Sequence, residues 1–158
     1  MVTGPQTMIS AIERRRGFIE ALDRNGVAFL HEIEGDYSLA SGVAAAEQLL
    51  SLSPLPTAIF AANDIMAAGI LKVASERRIS VPCPLSVVGF DGSLVAELLT
   101  PALTTVARPF GEIATHQLVD LVEGQPLPHA TPPPLRLVIA QSTAAAPIGD
   151  RQQFGMTN

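Results

Sequence analysis

Residues 57–90, TAIFAANDIMAAGILKVASERRISVPCPLSVVGF, are the stretch of sequence that decides the fold. Residues 57–62 and 85–90 are short, continuously apolar runs bounded by turn signals, which is typical of strands buried on both faces. Residues 65–77, which lie between them, place apolar side chains at helical spacing. A strand, a helix and a second strand in this order predict a parallel sheet with helices packed on its faces, and therefore an α/β fold.

Further helices and strands are predicted on both sides of this stretch. Ser38 is a suitable N-cap for one helix, and Asp64 is a suitable N-cap for the helix over residues 65–77. We predict the other helices over residues 10–25, 94–99 and 110–122, and the other strands over residues 28–33, 103–106 and 135–140. The alternation of helices and strands extends the α/β prediction to the rest of the chain.

The length and composition exclude several classes of protein. The chain has 158 residues, enough for one compact domain or for part of a two-lobed one. It is 47% hydrophobic and 16% charged, which excludes an intrinsically disordered chain. No apolar run approaches the ~18 residues of a membrane span, and the opening MVTGPQTM lacks a secretory pattern. The single Cys83 excludes an internal disulfide, which fits a reducing cytoplasm. Together these observations predict a cytoplasmic protein with no membrane partner.

The charge distribution argues against direct binding of nucleic acid. Ten basic and fifteen acidic residues give a net charge of −5. Nucleic-acid surfaces need clustered Lys and Arg to displace counterions from phosphates, and the basic runs here are only residues 14–16 and 77–78. We expect that this chain alone does not bind DNA or RNA.

Signals of catalysis and of metal binding are weak. The sequence contains no GxGxxG, GxxxxGK[ST], GxSxG or HExxH motif. The three histidines, His31, His116 and His129, have no spacing that suggests a metal site or a triad. No helix N-terminus is predicted beside Cys83 to lower the pKa of its thiol. We therefore predict no catalytic residue, no metal site and no cofactor.

Two polar side chains directly follow the two buried strands. Asn63 comes after residues 57–62, and Asp91 comes after residues 85–90. Ligands of open α/β sheets bind beyond the carboxyl ends of the strands, so both side chains are candidates for one crevice. The alternative is that Asn63 is only a helix cap and that Asp91, followed by Gly92, only forms a turn.

At this point the sequence resembles the effector-binding core of LacI/GalR-type transcriptional regulators. The resemblance runs from residue 2 to about residue 143, with the motifs in the family's order. It rests on VTGPQTMISAIERRRGFIEAL (2–22), PTAIFAANDIMAAGIL (56–71), VPCPLSVVGFDG (81–92), TPALTTVARPFGEIA (100–114) and LRLVIAQST (135–143). Any one string could match by chance, but several in sequence are highly specific.

The resemblance implies an incomplete two-lobed core, similar to periplasmic sugar-binding proteins of type I. Residues 1–106 would form the carboxyl-terminal lobe, and residues 107–134 would be a crossover helix and segment of the amino-terminal lobe. Residues 135–143 would be a returning strand, and residues 144–158 a flexible tail. The family's DNA-binding headpiece, its hinge and most of the first lobe would be absent from this chain.

The resemblance also assigns residues to the effector cleft. Arg14 stands at the Arg of the family's R-x-x-G-F motif, Asn63 at the Asn of N-D-x-M-A, and Asp91 at the Asp of V-G-F-D. Phe110 matches an aromatic residue that packs on the apolar face of a ring. Arg, carboxylate and amide groups suit the hydroxyls of a sugar. Arg108 stands where the family often has Gln, which is a departure from the pattern.

A dimer interface is implied as well. Residues 65–74 are apolar on nearly every side, more than one sheet face covers, and Leu94 and Leu98 lie in a second apolar segment. These regions contribute to a side-by-side dimer in the family, so the resemblance implies a homodimer with Leu71, Leu94 and Leu98 in its interface. The alternative is that the first lobe or a sheet face covers these side chains.

The resulting functional prediction is the effector-sensing and dimerising portion of a LacI-type regulator. The effector is expected to be a sugar that changes lobe closure and so alters the binding of operator DNA through the headpiece. One alternative is a solute-binding protein for sugar uptake, which shares the core fold. A second alternative is an α/β enzyme.

Overall fold

The computed structural model of the chain describes residues 1–126 and 134–146, without the side chain of Glu112. Within these residues, strands alternate with helices as the sequence predicts. The strands are β1 (Val2–Thr3), β2 (Ile33–Glu34), β3 (Ala58–Phe60), β4 (Ser86–Asp91), β5 (Thr104–Ala107) and β6 (Arg136–Val138). The helices are α1 (Ile9–Arg24), α2 (Leu39–Leu49), α3 (Asp64–Glu76), α4 (Leu94–Leu98) and α5 (Phe110–Val122).

The sheet is parallel except at one edge, which confirms the α/β prediction. Strands β3, β4 and β5 pair in parallel, and β6 pairs with β5 in antiparallel orientation. Strands β1 and β2 form a parallel pair of their own. A parallel bridge between Val2 and Ala61, with the Ala62 amide donating to the Val2 carbonyl at 2.8 Å, joins this pair to the β3 side. The carboxyl ends of β3, β4 and β5 therefore lie together at one edge.

Helix α3 packs between the sheet and α2, and this contact forms the core. Its side chains Met66, Ile70 and Val73 are fully buried. A Cβ atom on Gly42 would lie 2.4 Å from the Met66 carbonyl oxygen, so only glycine allows α2 to approach this closely. Two layers of partners thus cover the apolar surface of α3.

This packing corrects the expectation for Leu71. Leu71 is only 6% exposed and belongs to the core cluster, so its surface is used inside this chain. The prediction assumed that one sheet face could not cover all of the apolar surface of this helix. In the structure, α2 covers the side that the sheet leaves open. Leu94 and Leu98, by contrast, are 68% and 73% exposed on α4.

Two local predictions were also wrong. The strand expected over residues 28–33 is reduced to β2, because its partner β1 offers only two residues for pairing. Asp64 is the first residue of α3 rather than its cap; Asn63 is the cap, and its side chain accepts from the Met66 amide. Ser38 caps α2 as predicted, and α5 has the predicted bounds.

Helix α5 and strand β6 carry many exposed apolar side chains. Leu118 is 60% exposed, Val122 is 80% exposed and Ile139, just after β6, is 74% exposed. The division of the chain at residues 106, 134 and 143 stays a prediction, and residues 127–133 and 147–158 of its segments lie outside the described residues. No helix among the described residues is long and apolar enough to cross a membrane.

Candidate functional site

A hollow of about 540 Å³ opens where the carboxyl ends of β3 and β4 face helix α1. Phe60 closes β3, Phe90 lies at the end of β4, and Arg108 follows β5. The hollow's wall is dominated by aromatic rings and two guanidinium groups: Arg14, Phe18, Phe60, Phe90, Arg108 and Phe110. An apolar wall with few polar groups is the usual composition of a small-molecule site.

Arg14 reaches the floor of this hollow from α1. Its Cζ atom lies 3.8 Å from the centre of the Phe90 ring, a distance at which a cation is attracted to an aromatic face. Its Nη1 donates to the Ala62 carbonyl oxygen, which ties α1 to the end of β3. Burial lowers the pKa of Arg14, against the opposing effect of Tyr37 and Asp91. The guanidinium is therefore fixed and partly stripped of water, as a binding group should be.

Asp91 occupies a strained position at the end of β4. Its φ angle is 124°, in the left-handed region that residues other than glycine rarely adopt. Gly92 follows with a φ of 68°, and a Cβ there would lie 2.6 Å from Ala107. Arg108 Nη2 donates to Asp91 Oδ1 at 2.5 Å. The side chain of Asp91 is 31% exposed. Burial raises the pKa of Asp91, against the opposing charges of Arg108 and Arg14.

A buried carboxylate holds the turn that presents Asp91. Asp64 is 1% exposed, and its Oδ2 accepts from the Ser93 amide at 2.8 Å and from the Ser93 hydroxyl at 2.9 Å. Its Oδ1 accepts from the Thr105 hydroxyl at 2.5 Å. The Thr105 hydroxyl oxygen in turn accepts from the Gly92 amide at 3.3 Å. The turn that follows Asp91 is thereby held to α3 through Asp64 and to β5 through Thr105.

The structure gives Asn63 a capping role. Its Oδ1 accepts from the Met66 amide at 2.8 Å, and its Nδ2 donates to the Tyr37 carbonyl at 3.0 Å. Its side chain is largely enclosed, since the residue is 7% exposed. Among the described residues, those that line the hollow do not include Asn63. The capping contact is thus present, and the predicted contact with a ligand stays a prediction.

Arg108 and Phe110 complete the open side of the hollow. The Cζ atom of Arg108 lies 5.1 Å from the centre of the Phe110 ring and 5.5 Å from that of Phe90. Phe110 is 47% exposed, so its ring is free to receive a ligand. The structure therefore brings Arg14 and Phe110 to one hollow. Asp91 is not among the residues that line it, but it pairs with Arg108, which does.

Sequence reasoning missed part of this arrangement. It did not single out the aromatic pair of Phe18 and Phe60, whose rings stack with centres 5.0 Å apart. It also missed the network of Asp64. Phe60 and Phe90 occupy equivalent places near the ends of two buried strands, and this spacing was the available signal.

Comparisons with known proteins identify the family. The model of the family described as "Periplasmic binding protein-like domain" matches residues 1–143 of this chain. The regulator CelR of Thermobifida fusca is 39% identical over 145 residues, covering 87% of this chain and 41% of that protein. The repressor PurR of Edwardsiella ictaluri is 37% identical, covering 77% of this chain and 37% of that protein. The chain thus spans about two fifths of the length of these relatives.

Solved structures agree with the sequence relatives. A dimeric Lac repressor with an 11-residue C-terminal deletion matches with a TM-score of 0.81 and 33% identity, over 92% of this chain and 55% of that one. The CelR–cellobiose complex matches with a TM-score of 0.72 and 34% identity, over 89% of this chain and 45% of that one. The chain therefore belongs to the periplasmic binding protein-like domain family, in the branch formed by the cores of LacI-family transcriptional regulators.

Proposed function

We propose that this chain is the effector-sensing and dimerising portion of a LacI-type transcriptional regulator. The observation that carries the proposal is the hollow at the carboxyl edge of the sheet, where Arg14 and Arg108 lie against aromatic rings and Asp91 pairs with Arg108 beside it. Strand ends of open α/β sheets are the usual place for ligands. The relatives named above are transcriptional regulators, which favours this function over sugar uptake and over catalysis.

The chemistry of the hollow suits a sugar. The Phe110 ring offers an apolar face for the C–H side of a sugar ring, and the Asp91 carboxylate, whose side chain is 31% exposed, would accept from hydroxyl groups. Arg14 donates N–H groups from a position already fixed by Phe90 and Ala62. One relative was solved with cellobiose, which supports a sugar as the class of effector. Asn63, which does not line the hollow, would support the site by capping α3 and by donating to the Tyr37 carbonyl.

The partner in dimerisation is a second copy of the chain. Leu94 and Leu98 stand one turn apart on α4 and are each more than two thirds exposed, so they offer a small apolar ridge. One structural relative is described as a dimeric repressor. We propose that α4 of one protomer packs against its partner.

Signalling follows from differential binding. An effector that prefers one arrangement of the two lobes shifts the population toward it, and operator DNA is bound through the headpiece that such regulators carry. The proposal places the chain in the cytoplasm, where a regulator meets the chromosome. It includes no cofactor and no catalytic residue.

A titration of the isotope-labelled chain tests the proposal. We expect amide resonances around Arg14, Asp91 and Phe110 to shift when glucose or cellobiose is added, while those of α2 stay fixed. A panel of sugars that leaves the resonances of the hollow unchanged would contradict it.

A further inference from the structure

The hollow holds more positive than negative charge. Arg14 and Arg108 line it with two guanidinium groups, and Asp91, which is not among the lining residues, pairs with Arg108 from beside it. Glu13 also borders the hollow, but it is exposed and its carboxylate accepts from Arg16 on the solvent side of α1. The floor therefore keeps one cation that no carboxylate at the floor neutralises.

One donor on this floor has no acceptor. The Nε atom of Arg108 is buried and has no hydrogen-bond partner among the residues that the structure describes. A buried N–H group without an acceptor is rare in folded proteins, because it loses its bond to water without a replacement. The Nη2 atom of the same guanidinium is already used by Asp91. Arg108 thus keeps donors for which the described residues supply no acceptor.

Arg108 lines the hollow with a side chain that is 30% exposed, so the terminal nitrogens of its guanidinium, rather than the buried Nε, face a bound ring. Its guanidinium lies between the Phe90 and Phe110 rings, at 5.5 and 5.1 Å from their centres. A sugar packed on Phe110 would hold its substituents at this guanidinium. Aromatic rings beside the guanidinium replace part of its water, so an opposite charge is favoured there.

We infer that the effector carries an anionic group, a carboxylate or a phosphate on a sugar, and that Arg108 recognises this group together with Arg14. The inference rests on the proposed function and narrows its class of ligand. An anionic oxygen accepts from the unused donors of Arg108 and neutralises the surplus cation. A neutral sugar satisfies only the hydrogen bonds and leaves the charge uncompensated.

The experiment compares matched probes on the intact chain and its variants. Glucose, glucose 6-phosphate, glucuronate and inorganic phosphate are titrated while the resonances of the hollow are followed. We expect the phosphate or the carboxylate form to bind roughly ten- to a hundredfold more tightly than glucose, as charge-assisted hydrogen bonds do. In R108Q this preference should fall to about threefold or less. R24Q is the control, because it removes the same charge from an exposed site at the end of α1.

The outcomes separate this inference from the proposed function. Glucose binding in the hollow as tightly as both anionic forms, or an unchanged preference in R108Q, would overturn the inference and leave the proposed function standing. Inorganic phosphate binding as tightly as glucose 6-phosphate would overturn the assignment of a sugar anion. No response of the hollow to any sugar probe would overturn both.

Discussion

Replacing Asp64 by alanine is expected to destabilise the chain strongly, since Asp64 connects three elements from a buried position. Its carboxylate accepts three hydrogen bonds, two from Ser93 and one from Thr105, and the residue is 1% exposed. Hydrogen bonds to a charged group contribute about 1.5–3 kcal/mol each, so three give an upper bound of roughly 4.5–9 kcal/mol. Alanine also relieves the cost of burying the charge, which brings the expected loss to about 3–5 kcal/mol.

Urea unfolding at constant pH measures this loss. With a slope of about 2 kcal/mol per molar, the midpoint of D64A should fall by roughly 1.5–2.5 M. D64N keeps the volume but turns an N–H group toward the donors of Ser93 or Thr105, so its midpoint should lie between those of D64A and the wild type. D23A is the matched control: Asp23 is exposed on α1, and its variant should stay within about 0.5 kcal/mol of the wild type.

A second measurement attributes the effect to the network. S93A and D64A share the same hydrogen bonds, so the double variant should lose less stability than the sum of the single losses. A loss below about 1 kcal/mol in D64A, or strict additivity with S93A, would refute the reasoning.

Three further predictions concern association, pH and DNA. Sedimentation at micromolar concentration should show a dimer that L98D or L94D dissociates without loss of stability, whereas L71D should unfold the chain because Leu71 is in the core; a monomeric wild type would contradict the interface. Because burial raises the pKa of Asp91, the folded state binds its proton more tightly than the unfolded state, and stability should fall as pH rises from about 4 through that raised pKa. D91N should flatten this decline in urea midpoints, and a steeper decline in D91N would refute the cause. Mobility shifts should show no sequence-specific, salt-sensitive binding of DNA by this chain, given its charge of −5; specific retention would contradict this.

The parts of the fold that follow from local patterns were predictable. Helix α5 has the predicted bounds because its apolar spacing and the glycine after it are local signals. Strands β3 and β4 were found from continuous apolar runs, although β3 is only partly buried. Strand β2 was overestimated because its length is set by β1, some thirty residues earlier in the chain. Leu71 was misassigned because the sequence does not show that α2 covers α3.

The site was predictable in its position but not in its pairing. Arg14 and Phe110 line one hollow and Asp91 pairs with Arg108 beside it, while their contact with an effector stays a prediction. The ion pair of Asp91 with Arg108 depends on the register of β4 and β5, in which Asp91 lies opposite Ala107. The sequence predicts Asp64 as a helix cap, yet its hydrogen-bond partners, Ser93 and Thr105, lie 29 and 41 residues away in the chain. Contacts at such separations have no local signal.

The most direct test of the account is the affinity of the chain for its sugar with and without the Asp91 carboxylate. Calorimetric titration uses the sugar that shifts the hollow's resonances most, on the wild type, on D91N and on D23N as an exposed control. Asparagine preserves the shape of Asp91 and tolerates its φ of 124° about as well, so thermal melting should be retained. The account predicts that D91N binds roughly ten- to a hundredfold more weakly while D23N binds as the wild type does. Equal affinity of D91N and the wild type would contradict the claim that the effector binds against Asp91 at this edge of the sheet.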